Sequence, residues 1–120
     1  MTSGPSSVWL DNENLMDAAT VSFGCAPAYI AKIFQTYVNI GEEMGFNKDE
    51  TEMLLRDTFN GTLMMLDNND TDSIIEQVAS KGGATERGLE KLDSDGFTDM
   101  IRKSSFSSLR RIKNITKSLD

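Results

Sequence analysis

A pair of glycines between two predicted helices is the part of the sequence best suited to chemistry. Residues 80–85 read Ser-Lys-Gly-Gly-Ala-Thr and directly precede a helix start, where backbone N–H groups have no acceptor within the helix. The helix dipole adds partial positive charge there, and Ser80 and Thr85 flank the turn with hydroxyl donors. The pattern indicates a site for a small anion, a carboxylate or a phosphate. A plain turn, with Ala84 or Thr85 beginning the next helix, is the alternative.

Other kinds of active site are excluded by residue type. The chain has no histidine, and its one cysteine, Cys25, rules out an internal disulfide, a CxxC pair and a thiolate zinc site. Because Cys25 has no histidine partner, we expect a quiet, partly buried thiol. The acidic stretches 67–72 and 93–96 lack the spacing of a calcium loop and predict turns. The glycines match neither a phosphate-binding loop nor a dinucleotide fingerprint. We therefore predict no metal.

Charge and length limit the function classes further. The 120 residues predict one domain, and the net charge of −7 argues against a nucleic-acid binder of the basic type. No apolar run approaches the ~20 residues of a membrane span. Residues 102–120 carry six bases and one acid. Such a basic tail could bind a nucleic acid or a membrane surface. We favour cations that complement the dipole of a terminal helix and face an acidic partner surface. A soluble, cytoplasmic protein is expected.

The spacing of apolar residues predicts helices and no strand. We expect a short helix over residues 8–18, a break over residues 23–27, and then a long helix with Pro27 in its first turn. One apolar stripe recurs at steps of three and four, which predicts about five turns closed by a left-handed Gly45. The stripe comprises Ile30, Ile33, Phe34, Tyr37, Ile40, Gly41 and Met44.

The next helix has a clear start and two apolar faces. Asn47 and Glu50 stand at the spacing of a capping box. One face carries Leu55, Phe59, Leu63 and Leu66, and the other carries Met53, Leu54, Gly61 and Met65. Such a helix is buried on two sides, and the simplest second neighbour is another copy of the chain. We therefore expect a dimer interface that includes Tyr37, Phe59, Gly61 and Met65.

Three further helices complete an all-α domain. A short helix capped by Asp70 or Thr71 precedes the glycine turn, a second short helix is stopped by residues 93–96, and a last helix runs from Phe97 to Leu119. The serines in the middle of the last helix permit close packing against another helix. We assign residues 8–120 to one helical domain and residues 1–7 to a flexible lead.

Several of these segments resemble a known family. Residues 17–20 (Asp-Ala-Ala-Thr) and 24–29 (Gly-Cys-Ala-Pro-Ala-Tyr) are similar to the opening of the C-terminal domain of the pyrroline-5-carboxylate reductases. Gly41 through Gly45, the glycine turn with Thr85, Gly88-Leu89 and Asp95-Gly96-Phe97 follow in the family's order. The resemblance covers about residues 9–119.

The resemblance implies a fold, an activity and a set of site residues. The family reduces 1-pyrroline-5-carboxylate to L-proline with NADPH or NADH, which is bound mainly by an N-terminal Rossmann domain that this chain lacks. The helical domain, of the 6-phosphogluconate dehydrogenase C-terminal type, interlocks with its twin in a homodimer, and larger rings of dimers occur. By the same resemblance, Thr20 lies near the nicotinamide. The substrate carboxylate is held by Ser80, Gly82, Gly83, Ala84 and Thr85.

Departures from the family pattern keep two alternatives open. Lys81 replaces a proline of the turn, and Phe23, Cys25 and Ala26 replace small residues on the cofactor side. The chain is therefore either the helical half of such a reductase, inactive by itself, or a stand-alone dimerisation module of a divergent relative. A related dehydrogenase for another small imine or keto acid is the third possibility.

Overall fold

The computed structural model describes residues 13–80 and 82–119, with side chains described up to residue 115. Within these ranges every regular element is helical, so the all-α prediction is confirmed. The elements are α1 (Glu13–Ala19), a π-helix (Thr20–Cys25), α2 (Ala26–Glu43), α3 (Lys48–Met65), α4 (Thr71–Ala79), α5 (Ala84–Ser94) and α6 (Phe97–Leu119). Predictions for residues 1–12 and for Lys81 lie outside the described residues.

The predicted break over residues 23–27 is wrong, because the chain stays helical there. A π-helix joins α1 to α2, and Ala26 has α-helical angles of φ −54° and ψ −39°. In a regular α-helix the ring of Pro27 would clash with the carbonyl four residues earlier. The wider π turn directly before Pro27 accommodates the ring without ending the helix. Val21, in this turn, is only 5% exposed, so packing favours its continuation.

The connection between α2 and α3 follows the predicted turn chemistry. Gly45 has φ +104°, and its N–H donates to the carbonyl of Glu42 at 3.0 Å. Asn47 then caps α3, since its Oδ1 accepts from the N–H groups of Asp49 at 2.8 Å and Glu50 at 3.2 Å. The predicted ends of both helices are therefore confirmed.

The chain forms two compact units, and the first contains residues up to Ile30 and from Gly96 onward. In this unit the hydroxyls of Tyr29 and Ser108 lie 2.6 Å apart and share a half-buried hydrogen bond. Lys113 Nζ donates to Asn14 Oδ1 at 3.3 Å. The hydroxyls of Ser104 and Ser105 donate back to carbonyls one turn earlier in α6. The hydrogen bond of Ser108 thus joins α6 to the first turn of α2.

The second unit, Ala31–Asp95, contains most of α2 together with α3, α4 and α5. The rings of Phe34 and Phe59 meet edge to face with centroids 5.6 Å apart. About two turns further toward the loop that joins them, α2 and α3 touch at Gly41 and Thr51. A Cβ atom on Gly41 would lie 2.6 Å from Cγ2 of Thr51, and Thr51 is 8% exposed. Only glycine permits this approach.

This contact gives a stability prediction. Gly41→Ala forces the buried Thr51 methyl to move, which we expect to lower the free energy of unfolding by about 1–3 kcal/mol, as for overpacked cores. Gly88→Ala is the matched control, because nothing lies within 4 Å of its added Cβ atom and alanine favours a helix by about 1 kcal/mol. The unfolding temperatures of the two variants, measured by circular dichroism, should therefore shift in opposite directions from that of the wild type. Equal shifts would contradict the close approach.

Candidate functional site

The glycine turn between α4 and α5 is shaped by both helix ends. α4 ends with Ser80, whose N–H donates to the Glu76 carbonyl at 2.9 Å. The Ser80 hydroxyl donates to the carbonyl of Gln77 at 3.0 Å. The hydroxyl hydrogen of Ser80 is therefore already engaged. This hydroxyl can donate to a ligand only after it rotates away from the Gln77 carbonyl.

The other side of the turn leaves backbone amides without acceptors. Gly83, with φ +78° and ψ −27°, is the N-cap of α5 and offers no side-chain cap. The first backbone N–H bonded within α5 is that of Arg87, which donates to the Gly83 carbonyl at 2.9 Å. The N–H groups of Ala84, Thr85 and Glu86 thus have no intrahelical partner. Of the two helix starts considered, Ala84 is the observed one.

Exposure and charge around the turn decide what it can bind. Residues 82–85 are all exposed, and the Thr85 hydroxyl makes no hydrogen bond to the residues that the structure describes. The acid Glu86 stands in the first turn of α5, so the attraction for an anion comes from amides and the helix dipole. Three amides and one hydroxyl match the oxygens of a single carboxylate.

An apolar groove of about 290 Å³ lies between α2 and α3 in the second unit. Its floor is the Gly41–Thr51 contact. Met44 is 74% exposed, Phe46 60% and Leu54 56%, which is unusual for side chains of this size. The lining comprises Tyr37, Ile40, Gly41, Met44, Phe46, Thr51, Leu54, Leu55 and Thr58.

Comparison with known proteins shows where the chain belongs. The sequence model of the family described as pyrroline-5-carboxylate reductase dimerisation matches residues 13–115. The chain belongs to this family. The predicted resemblance is confirmed, and the chain contains a pyrroline-5-carboxylate reductase dimerisation domain.

Individual relatives agree with the family. The pyrroline-5-carboxylate reductase of Staphylococcus haemolyticus is 25% identical over 117 residues, which are 96% of this chain and 43% of that protein. The Pseudomonas aeruginosa reductase is 24% identical over 94% of the chain and 42% of that protein. The chain thus spans about two-fifths of the length of these relatives.

A solved structure shares the fold. The crystal structure of Plasmodium falciparum pyrroline carboxylate reductase with NADP bound is 24% identical, with a TM-score of 0.77 over 83% of this chain and 39% of that chain. At this identity the likeness supports the arrangement of the helices alone. It agrees with the all-α fold of the dimerisation domain.

The expected site residues of this dimerisation domain fall into separate places. Gly82, Gly83, Ala84 and Thr85 come together in the turn of the second unit. Thr20 belongs to the first unit, where its hydroxyl donates to the Met16 carbonyl at 3.1 Å. Both assignments stay predictions. Cys25 is half-buried, as expected.

The four expected interface residues of the dimerisation domain differ in exposure. Tyr37 is 51% exposed and lines the groove, and Gly61 is exposed with nothing within 4 Å of an added Cβ atom. Phe59 and Met65 are half-buried, and Phe59 already packs on Phe34. Sequence reasoning missed Phe46 in the groove, although a large apolar residue directly after the helix-ending Gly45 was a usable signal.

Across the described ranges, no group of three or more acids and cysteines is placed to hold a metal ion. None of the described helices combines the length and the apolar character needed to cross a bilayer.

Proposed function

We propose that this chain is the dimerisation and substrate-binding half of a cytoplasmic pyrroline-5-carboxylate reductase. The parent enzyme reduces 1-pyrroline-5-carboxylate to L-proline with NADPH or NADH. Family membership over residues 13–115 supports the assignment, and the amide-lined turn at Gly83 is the single observation that carries the role of this chain in it. Assembly of dimers into larger rings remains an expectation from the resemblance.

The proposed role of the turn is to hold the carboxylate of the substrate. The N–H groups of Ala84 and Thr85 have no partner within α5, and the Thr85 hydroxyl makes no hydrogen bond to the described residues. All three donors belong to the first turn of α5, directly after the left-handed Gly83. Hydrogen bonds to a charged group contribute about 1.5–3 kcal/mol each. With the carboxylate fixed, the ring of the substrate has one orientation relative to the hydride donor. The turn therefore positions the imine carbon.

The described residues do not form a nucleotide site of their own. They contain neither a strand nor the G-x-G-x-x-G pattern that cradles a pyrophosphate, and Thr20, the candidate near the nicotinamide, has its hydroxyl bonded to α1. The reduced nicotinamide supplies the hydride when bound. We assign its binding to another part of the enzyme.

Exposed apolar surface supports the second role, association with a second copy. Twenty-one large apolar side chains of the described residues are at least 36% exposed, and three apolar residues are buried. A second copy that covers the α2–α3 groove would bury five of these side chains, namely Tyr37, Ile40, Met44, Phe46 and Leu54.

Titration with proline tests the carboxylate site directly. Proline carries the product's carboxylate and ring and needs no nucleotide. In a nitrogen–proton correlation spectrum of the chain, we expect the amides of Gly83, Ala84, Thr85 and Glu86 to shift together and saturably, because they face the carboxylate. Pyrrolidine, which lacks the carboxylate, is the control ligand and should leave them unmoved. Shifts elsewhere, with none at these amides, would reject the site but leave the dimer proposal standing.

A further inference from the structure

A surface of α6 outside the proposed site combines two arginines with an aromatic ring. Arg102, Phe106 and Arg110 recur every four residues and so share one side of the helix. The guanidinium carbon of Arg102 lies 5.5 Å from the centroid of the Phe106 ring. The Phe106 side chain is 48% exposed. Arginine and aromatic residues, phenylalanine included, are enriched at protein interfaces relative to the rest of the surface. We call these three residues the basic stripe.

The charges of the basic stripe are not neutralised by the described residues. Elsewhere on α6, Lys103 pairs with Asp99 at 2.9 Å and Lys113 donates to Asn14. For Arg102 and Arg110, no carboxylate of the described ranges lies within ion-pair distance. Beyond Asp99, α6 has no further acid up to its end at Leu119. The basic stripe therefore presents an uncompensated positive surface.

A matching negative surface lies on α5. Glu86, Glu90 and Asp93 recur at steps of four and three, so they share one side of that helix, and all three are exposed. None of them has an ion pair with a described base, whereas the neighbouring Lys91 pairs with Asp95. We call these residues the acidic stripe. It spans about 10 Å along its helix, and Arg102 to Arg110 span about 12 Å, at 1.5 Å per residue.

We propose that the basic stripe of one copy docks on the acidic stripe of a second copy. Each stripe is uncompensated, the two have similar lengths, and each chain carries one of each. A twofold arrangement therefore makes the contact twice. A polyanion suits the basic stripe less well, because the chain as a whole carries a net charge of −7 and repels it. The contact is distinct from the apolar groove and does not depend on the proposed enzymatic role.

Two charge reversals of equal size on neighbouring residues test the proposal. Arg110→Glu changes the basic stripe, and Arg111→Glu is the matched control, because it changes the net charge equally but points about 100° away around the helix. The association of fluorescently labelled chains is measured in a dilution series at two salt concentrations. At about 50 mM salt ion pairs between the stripes are effective, and at about 1 M they are screened. We expect Arg110→Glu to weaken association about tenfold or more at low salt and Arg111→Glu less than twofold, with no difference at high salt.

A charge-swapped mixture identifies the partner surface. Arg102→Glu/Arg110→Glu and Glu90→Arg/Asp93→Arg should each associate weakly alone, and their equimolar mixture should recover wild-type association, with helicity by circular dichroism unchanged. Glu86 is kept because it adjoins the glycine turn. Failure of the mixture to recover, or equal effects of Arg110→Glu and Arg111→Glu, would overturn the proposal. Binding of a labelled single-stranded oligonucleotide that Arg110→Glu abolishes would assign the basic stripe to a polyanion instead.

Discussion

Gly61→Leu is expected to convert the dimer into monomers without unfolding the chain. Nothing lies within 4 Å of a Cβ atom added at Gly61, and leucine favours the helix by nearly 1 kcal/mol, so the isolated protomer accepts the side chain. Any loss must therefore arise between copies. Overpacking costs about 1–3 kcal/mol per site and acts twice in a twofold dimer. We expect the association constant to fall about 100-fold or more, measured by sedimentation over a dilution series.

Gly88→Leu is the matched control for this experiment. Gly88 is also a helical glycine with open space around it, in α5 instead of α3, and the substitution adds the same side chain. We expect it to leave the association constant within about twofold. Should the two variants dissociate equally, or should Gly61→Leu remain a dimer, Gly61 is not at the interface. A chain that is monomeric before mutation would remove the dimer proposal itself.

Local chemistry made most helix ends predictable from the sequence. Gly45 supplies the left-handed conformation that closes α2. Asn47 supplies the side-chain oxygen that caps the start of α3. Asp70 Oδ1 similarly accepts from the N–H of Ser73 at 2.8 Å and caps α4. Each signal depends on a residue and its immediate neighbours. The structure confirms them because no distant contact competes.

The π-helix was not predictable by the same means. Gly24 and Pro27 together indicate a break when each is judged by its intrinsic helix preference. The observed continuation depends on burial of Val21 and on α6, which contacts this turn from the other end of the chain. A contact between residues so far apart in sequence leaves no periodic signal. Intrinsic preference was therefore overridden by packing.

The groove was only half predictable. Periodicity placed Leu54 and Leu55 on different faces of α3 and Tyr37 on the stripe of α2, which defines the surfaces but not the angle at which the helices meet. The close approach of Gly41 to Thr51 brings the two helices together at one point, and the periodic pattern does not show it. The edge-to-face pair of Phe34 and Phe59 also uses part of an apolar face within one protomer. Phe59, which the sequence predicts at the dimer interface, is therefore already partly covered within one protomer.

Thr85→Val is expected to lower the activity of the intact reductase while leaving the stability of the fold nearly unchanged. Valine keeps the size of threonine but deletes the hydroxyl donor, and this hydroxyl has no other partner among the described residues. Loss of one hydrogen bond to a charged group costs about 1.5–3 kcal/mol, so kcat/KM for 1-pyrroline-5-carboxylate should fall about 10- to 150-fold. Steady-state oxidation of NADPH by the full-length enzyme measures this change.

Thr85→Ser separates the hydroxyl from the shape of the side chain. Serine keeps the donor and loses a methyl group that is exposed to solvent, so kcat/KM should recover to within about threefold of the wild type. Unfolding temperatures should agree among the three proteins, because Thr85 is exposed and its hydroxyl stabilises nothing within the described chain. Activity close to wild type in both variants would show that the hydroxyl does not touch the carboxylate. If both were equally inactive, the site would require the methyl group in addition to the donor.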